Sequence, residues 1–312
     1  MMSTLTTTIN DKKFNNTFIE VTTDETIGVR GNEELRLFRL RNIVDNSFDK
    51  DALRSFIAIN IGHYVFSRSK IKSYYDEGEE LVVGLDALDL MHQRGQADDK
   101  GTGNEIGEIM LYIFLESVLK APKVYSKVEL NSTVRNKISV ADSIHLRLFD
   151  TDGGSTSYEM VFGTSSIVGD LGDAIDEAFE RIAAIKQQTR EEIRIVDESI
   201  FDLPADDPVA LKMNELLAVE PGKETARDSA YGIFLGYTIG LDKNRTGAEY
   251  RELVNAKMDD ELRAYLPQIR EKINELGLQN NSFYIYVFPF DDAEADKKDI
   301  MKKVMREGAD NE

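Results

Sequence analysis

The segment from Glu105 to Lys120, EIGEIMLYIFLESVLK, constrains the fold most strongly, because it is apolar on nearly every side. A helix of this kind must be covered by protein all round, so the segment predicts a core helix. Glu108 stands among its apolar residues, and a buried carboxylate is costly unless it is paired or binds a metal ion. Alternatively, Glu108 lies in the first turn and interacts with the helix dipole and the free backbone amides. Either way, the helix carries the first candidate site residue.

Segments with strand and helix periodicity alternate along the rest of the chain. Alternating apolar residues or β-branched and aromatic runs predict strands at 17–22, 34–42, 139–149, 158–163, 229–240 and 281–290. Three- and four-residue spacings predict helices from Asp49 or Asp51 through residue 68, then at about 69–76, 174–192, 206–218, 248–277 with an interruption at Pro267, and 293–307. Residues 80–93 are apolar enough to be partly buried. Strands alternating with helices predict an α/β fold with helices packed on a mixed central sheet.

Three regions follow from this pattern. Residues 1–48 form an N-terminal part with small strands, and its first 16 residues are polar enough to be disordered or loosely attached. Residues 49–292 form the main α/β domain, interrupted by a Gly- and Asp-rich loop at 94–104 and a turn at 150–157. Residues 293–312 form a C-terminal helix and tail.

The predicted strand at 139–149 carries the second candidate residue. Strand side chains alternate between faces, so Asp142 shares the apolar face with Val140 and Ile144. His145 falls on the more polar face. An acidic side chain among apolar neighbours indicates a functional site, because its burial must be offset by a partner or a metal ion.

Charge and composition narrow the function. The chain has 57 Asp and Glu against 38 Lys and Arg, a formal net charge of −19. Such a chain repels DNA at long range unless basic groups gather on one face or a partner supplies them, although the same charge also fits a plain solvated surface. The stretch from Lys123 to Lys137 is the best candidate for a direct phosphate contact.

The sequence lacks most well-known catalytic and targeting signals. Zero cysteines exclude disulfides, Cys-ligated zinc, iron–sulfur clusters and thiol nucleophiles. The only histidines are His63, His92 and His145, which leaves little for a histidine-based site, and His63 is expected to pack in the core. No GxxxxGK[ST], HExxH or GxSxG motif occurs, and the glycines of 101–107 follow no predicted strand. With no signal peptide and no transmembrane segment expected, the sequence predicts a cytoplasmic protein without membrane contact.

One constellation remains, and its layout is that of restriction-endonuclease-like, PD-(D/E)xK nucleases. A core helix offers Glu108, a strand offers Asp142, and a hairpin partner and a long helix follow. In such nucleases acidic residues hold Mg²⁺, and a Glu-x-Lys pair on the second strand completes the site. Here the two positions read Thr164 and Ser166, which cannot supply a carboxylate and an ammonium group.

The same segments resemble the HamA family, the nuclease-like subunit of Hachiman anti-phage defence. The similarity rests on GNEIGEIMLYIFLE at 103–116, Asp142 to His145, the hairpin ending VFGTSS, DAIDEAFERI at 173–182 and the late strand FYIYVFPF. The resemblance implies that Glu108 and Asp142 hold Mg²⁺ or Mn²⁺, if a metal site survives, and that Thr164 and Ser166 occupy the Glu and Lys positions. It also implies a DExH-type, HamB-like helicase as partner, with DNA reached through the complex.

The departure from Glu-x-Lys leaves several readings open. The chain is a defence subunit that binds or regulates without cutting, or a metal-dependent DNase whose missing groups come from elsewhere, or an interaction protein with no nucleic-acid role. Glu159 lies on the wrong strand face to substitute, whereas Glu177 and Lys186 on the following helix are better placed. A purely structural reading has Glu108 and Asp142 bonded to Arg147, Lys137 or backbone amides.

Overall fold

A mixed seven-stranded sheet forms the centre of the protein. The computed structural model describes residues 6–95, 103–126, 139–150, 156–201, 228–244 and 246–309. Within them the sheet strands are β1 (Phe18–Val21), β2 (Glu33–Leu40), β5 (Lys123–Ser126), β6 (Ser143–Asp150), β7 (Thr156–Ile167), β8 (Asp228–Thr238) and β9 (Ser282–Phe290). A separate hairpin consists of β3 (Ile43–Val44) and β4 (Ser47–Phe48).

The strand order in the sheet is β1-β2-β9-β8-β7-β6-β5. The pairs β2–β9, β9–β8 and β8–β7 are parallel, whereas β1–β2, β7–β6 and β6–β5 are antiparallel. Every residue of β9 is buried, as expected for a central strand covered by helices on both faces. This confirms the predicted α/β class with a mixed central sheet flanked by helices.

Eight helices surround the sheet in the part of the chain that the structure describes. They are α1 (Asp11–Thr17), α2 (Lys50–Val65), α3 (Arg68–Glu77), α4 (Val83–Gly95), α5 (Glu105–Ser117), α6 (Leu171–Phe201), α7 (Gly247–Glu275) and α8 (Ala293–Ala309). Asp49 caps α2 by accepting a hydrogen bond from the Ala52 amide, and Thr246 and Glu249 form a capping box on α7.

The two faces of the sheet are covered by different helices. Phe114 of α5 packs against Phe234 and Phe288 on one face, where α2 and α8 also lie, whereas Phe179 of α6 stacks on Phe283 on the other. Gly163 of β7 lets α5 approach closely, because a Cβ there would come within 2.7 Å of Leu111 Cδ2. The predicted core helix is confirmed, and most of its residues are buried.

Three expectations about single elements are wrong. Of the first 16 residues, those that the structure describes, 6–16, are attached and not loose, because α1 buries Phe14 in the core. Helix α7 runs through Pro267 without a break, because that residue lies on the exposed side while Leu266 and Ile269 hold the helix on the sheet. Strand β6 begins at Ser143, so Asp142 lies in the bend before it and not on a strand face.

The predicted division into three regions stays a prediction, although β1 and β2 of the N-terminal region join the same sheet as β9. The predicted helix at 206–218 lies outside the described residues, as do most of the loop at 94–104 and most of the turn at 150–157. Among the described residues, no helix combines the length and the apolar character needed to cross a bilayer.

Candidate functional site

A polar cavity of about 240 Å³ lies at the carboxyl end of β7, where α5 begins and α6 and α8 pass. The carboxyl ends of parallel strands are where α/β proteins usually bind ligands. Its lining combines carboxylates, hydroxyls and cationic side chains from all four elements: Asn104, Gly107, Glu108, Ser165, Ser166, Ile167, Val168, Glu177, Arg181, Glu294, Lys297 and Lys298.

Asp142 is fully buried and does not itself line this cavity, but it contacts Ser165 and Arg181, which do. Its backbone N–H donates to the Gly163 carbonyl at 2.9 Å, which ties the bend to β7. Its Oδ2 accepts hydrogen bonds from the Ser165 amide and hydroxyl, both at 2.8 Å. The guanidinium of Arg181 on α6 lies 3.2 Å from Oδ1 and 3.3 Å from Oδ2. The carboxylate is therefore held by a cation and by two donors of one residue.

If Asp142 is purely structural, the sequence suggests Arg147, Lys137 or backbone amides as its partners. Arg147 lies with Glu159, 3.6 Å away, and with the ring of Tyr284. Lys137 lies outside the described residues. The backbone amide of Ser165 does donate to Asp142, so one of its partners is a backbone amide, as expected.

Glu108 lies in the first turn of α5 and faces the cavity, and it is partly exposed. Its Oε2 accepts a hydrogen bond from the hydroxyl of Tyr64 on α2 at 2.9 Å. Burial, and then the negative charge of Glu108, raise the pKa of the Tyr64 hydroxyl well above its ordinary value, so Tyr64 stays a neutral donor. Glu108 therefore lies in the first turn of the helix and also has a hydrogen-bond partner, so each of the two interpretations of this residue describes part of its surroundings.

Thr164 and Ser166 lie on the same side of β7, since they are two residues apart. Thr164 is fully buried, and its Oγ1 has no hydrogen-bond partner among the described residues. Ser166 lines the cavity and donates to Glu177 Oε2 at 2.7 Å. Glu177 thus places a carboxylate beside the position where the nuclease pattern has lysine.

Three cationic residues of the cavity were missed from the sequence, Arg181, Lys297 and Lys298. Lys297 of α8 is buried, and its Nζ donates to the Ile167 carbonyl at 2.8 Å and lies 3.0 Å from Glu294 Oε2. Arg181 could have been found, because it follows Glu177 by four residues and therefore shares its helix face. Nothing in the sequence of α8 indicates that it returns to the start of α5.

Other proposed groups lie elsewhere. Lys186 donates to the Leu276 carbonyl and does not line the cavity. Glu159 is buried in a separate cluster with Asn32, Ser282 and Tyr284.

The basic stretch from Lys123 to Lys137 is described only through residue 126. Lys123 is buried and donates to the carbonyls of Tyr64 and Phe66 at 2.9 and 3.0 Å, so its expected phosphate contact is wrong. Its ammonium group instead joins α2 to β5.

His145 is fully buried, so its expected place on a polar face is wrong. Its Nδ1 lies 2.8 Å from the Ala121 carbonyl, and burial together with the nearby Lys123 charge lowers its pKa to about 3. The ring is neutral near pH 7 and belongs to the core. His63 is partly buried with a lowered pKa, and the side chain of His92 lies outside the described residues.

The donor set of the cavity does not fit a Mg²⁺ or Mn²⁺ ion as it is arranged. Such ions need several oxygen ligands, usually including one or more carboxylates. Across the described ranges, no three His, Asp or Glu side chains come together in a group that could hold a metal ion. The two oxygens of Asp142 already face Arg181 and Ser165, and Thr164 and Ser166 add only neutral hydroxyls.

Comparison with known proteins gives one match. A family model described as HamA matches residues 12–304, a range that includes every residue of the cavity. No curated protein matches the chain.

Proposed function

This chain belongs to the HamA family, which makes it a subunit of Hachiman anti-phage defence, and on that premise we propose that it binds or regulates without cutting DNA. In this proposal its α/β domain has a restriction-endonuclease-like core. It is paired with a DExH-type helicase that senses DNA, and its own nuclease chemistry is lost or impaired. The observation that carries the proposal is the pairing of Asp142 with Arg181 beside the neutral Thr164 and Ser166.

The nuclease-like core is supported by the order of elements around the cavity. A core helix with a carboxylate, α5, is followed by the β6–β7 hairpin and the long helix α6. In nucleases of this architecture the acidic groups bind the metal ion that generates hydroxide and stabilises the in-line transition state. Glu108 and Asp142 follow one another in the order of that layout, with Glu108 on the core helix and Asp142 in the bend before β6.

The loss of cleavage is argued from charge. A carboxylate and a lysine at the ends of β7 would bring one negative and one positive group to the reacting phosphate. Thr164 and Ser166 bring neither, and the buried Thr164 has no space in which to contact DNA. Asp142 is neutralised by Arg181, so the cavity offers no strong site for a divalent ion.

The helicase partner is supported by the charge balance. A net charge of −19 makes the isolated chain a poor DNA binder, and the burial of Lys123 removes one candidate phosphate contact. A DNA-gripping partner with a basic surface would supply both the affinity and a place for the acidic chain to dock.

The test is a cleavage assay on the purified chain with plasmid and single-stranded DNA in Mg²⁺ or Mn²⁺. We expect the DNA to stay intact. Cleavage that disappears in Asp142→Ala would overturn the proposal, whereas cleavage that persists in this variant would be assigned to a contaminating nuclease.

A second candidate, a DNase with substituted groups, is favoured by one observation. Glu177 lines the cavity and is bonded to Ser166, and Lys297 brings an ammonium group to the same place. If this candidate is correct, Glu177→Gln abolishes cleavage, whereas Lys186→Gln, outside the cavity, leaves it unchanged.

The third candidate, an interaction protein with no nucleic-acid role, is separated by co-purification. The defence role predicts that the tagged chain captures a helicase encoded by the neighbouring gene, and that deleting the chain's own gene abolishes phage protection. Protection that survives the deletion would favour the third candidate.

A further inference from the structure

The carboxylate of Asp142 needs a compensating positive charge. It is fully buried, and a buried charge is retained only when it is paired and hydrogen-bonded. The Ser165 amide and hydroxyl are neutral donors, so they bring no countercharge. Among the described residues, Asp142 forms an ion pair with Arg181.

The position of the Arg181 guanidinium is the position that a metal ion would take. Its Nη1 lies 3.2 Å from one carboxylate oxygen of Asp142 and 3.3 Å from the other, so a single nitrogen faces both. A divalent ion bound to the same oxygens would lie about 2.0 to 2.6 Å from them. The guanidinium and a metal ion therefore exclude each other at this point.

The surroundings strengthen this exclusion. The Lys297 ammonium group lines the same cavity and is 5% exposed, and it pairs with Glu294 at 3.0 Å. The cavity therefore already holds protein cations that pair with its carboxylates, which weakens the attraction of a divalent ion. The Arg181 side chain is 40% exposed whereas Asp142 is fully buried, so the guanidinium connects the buried carboxylate with solvent.

We propose that Arg181 is a built-in counter-cation that takes the place of a divalent metal ion at Asp142, so that this cavity is metal-independent and becomes a metal site only when Arg181 is removed. The inference deepens the proposed non-cutting role and rests on it only for its biological meaning. Its test uses folding and ion binding of the isolated chain, with no DNA present.

The experiment compares thermal unfolding of the full chain in EDTA and in about 10 mM Mn²⁺, because an ion that binds only the folded state raises Tm once its concentration exceeds its Kd. We expect the same Tm for the unsubstituted chain in both buffers. For Arg181→Met we expect a Tm lower by about 5 °C in EDTA, because a buried carboxylate loses its partner. Mn²⁺ should then raise the Tm of this variant, and calorimetric titration with Mn²⁺ should give binding heat for Arg181→Met alone.

Two further variants keep the test decisive. Arg190→Met removes an exposed arginine from the same helix, and we expect no change in Tm and no response to Mn²⁺. Asp142→Asn/Arg181→Met removes both charges, so it should regain stability and not respond to Mn²⁺. This double variant also remains informative if Arg181→Met alone does not fold.

Several outcomes would overturn the inference. One is that Mn²⁺ raises the Tm of the unsubstituted chain as much as that of Arg181→Met. The others are that Mn²⁺ raises the Tm of neither protein, and that it still raises the Tm of the double variant. Each differs from the outcome that overturns the proposed function, which is metal-dependent DNA cleavage lost in Asp142→Ala.

Discussion

At the scale of single residues, His145 offers the clearest pH prediction. Its pKa is lowered to about 3 by burial, against about 6.5 in the unfolded chain. Between these values the unfolded state binds a proton that the folded state does not, so the free energy of unfolding falls as the pH falls. From pH 7 to pH 5 this amounts to about 2 kcal/mol, with little further change above pH 7.

Urea unfolding of the chain and of His145→Gln at pH 5, 6 and 7 checks this. The variant should lose less stability on acidification by about the same 2 kcal/mol, whatever its stability at pH 7. Parallel pH profiles would contradict the assignment. Since His63 is present in both proteins, its own lowered pKa cancels in the comparison.

The candidate residues differ in how far sequence reasoning reaches them. Glu108 and Ser166 line one cavity, and Asp142 contacts its lining residue Ser165, but the role predicted for these residues stays a prediction. For Arg181, the only indication in the sequence is that it follows Glu177 by four residues and so shares its helix face. For Lys297 there is none, because its presence depends on how α8 returns across the sheet.

At the scale of elements, the close approach of α5 to β7 depends on Gly163. A Cβ there would lie 2.7 Å from Leu111 Cδ2 and 2.8 Å from Ser143 Oγ, so Gly163→Ala forces a shift of packed atoms. We expect a loss of about 1 to 3 kcal/mol in the free energy of unfolding. Gly84→Ala, on α4 with nothing within 4 Å of the new Cβ, is the control and should gain about 0.5 to 1 kcal/mol. Equal effects at the two sites would contradict the packing argument.

Helix α1 provides a second element prediction. Phe14 is buried, and its ring lies within 6.4 Å of four others: Phe18, Phe38, Phe56 and Phe114. We expect Phe14→Ala to cost about 3 to 5 kcal/mol, measured by chemical denaturation. An unchanged midpoint would mean that the start of the chain is loosely attached after all.

The lengths of the elements explain which of them were predictable. Long periodic segments such as α5, α6 and β9 were identified from the sequence because their patterns extend over several turns or alternations. Helix α1 has a single buried residue, so it produces no periodic signal, and the aromatic cluster of the core holds that residue in place. The alternation pattern predicts a start of β6 that is too early, because Val140 and Asp142 continue the pattern into the bend before the strand. Asp142 itself stabilises this bend.

At the scale of the whole molecule, alternating strands and helices were enough to predict an α/β fold with a mixed sheet. They were not enough to predict the strand order, because the pairing of β2 with β9 joins residues about 250 positions apart. The net charge of −19 acts at this scale too, since it concerns partners and not the fold. It is consistent with a subunit that reaches DNA only through another protein.

We propose that this subunit does not cut DNA, even in the proposed complex with the helicase. The most direct test is to reconstitute the chain with the helicase encoded beside it, add ATP and Mg²⁺, and follow DNA binding and DNA length together. We expect the complex to bind DNA in a salt-dependent way, the chain alone to bind little DNA, and the DNA to keep its length. DNA that is degraded by this complex, but not by one carrying Asp142→Ala, would contradict it.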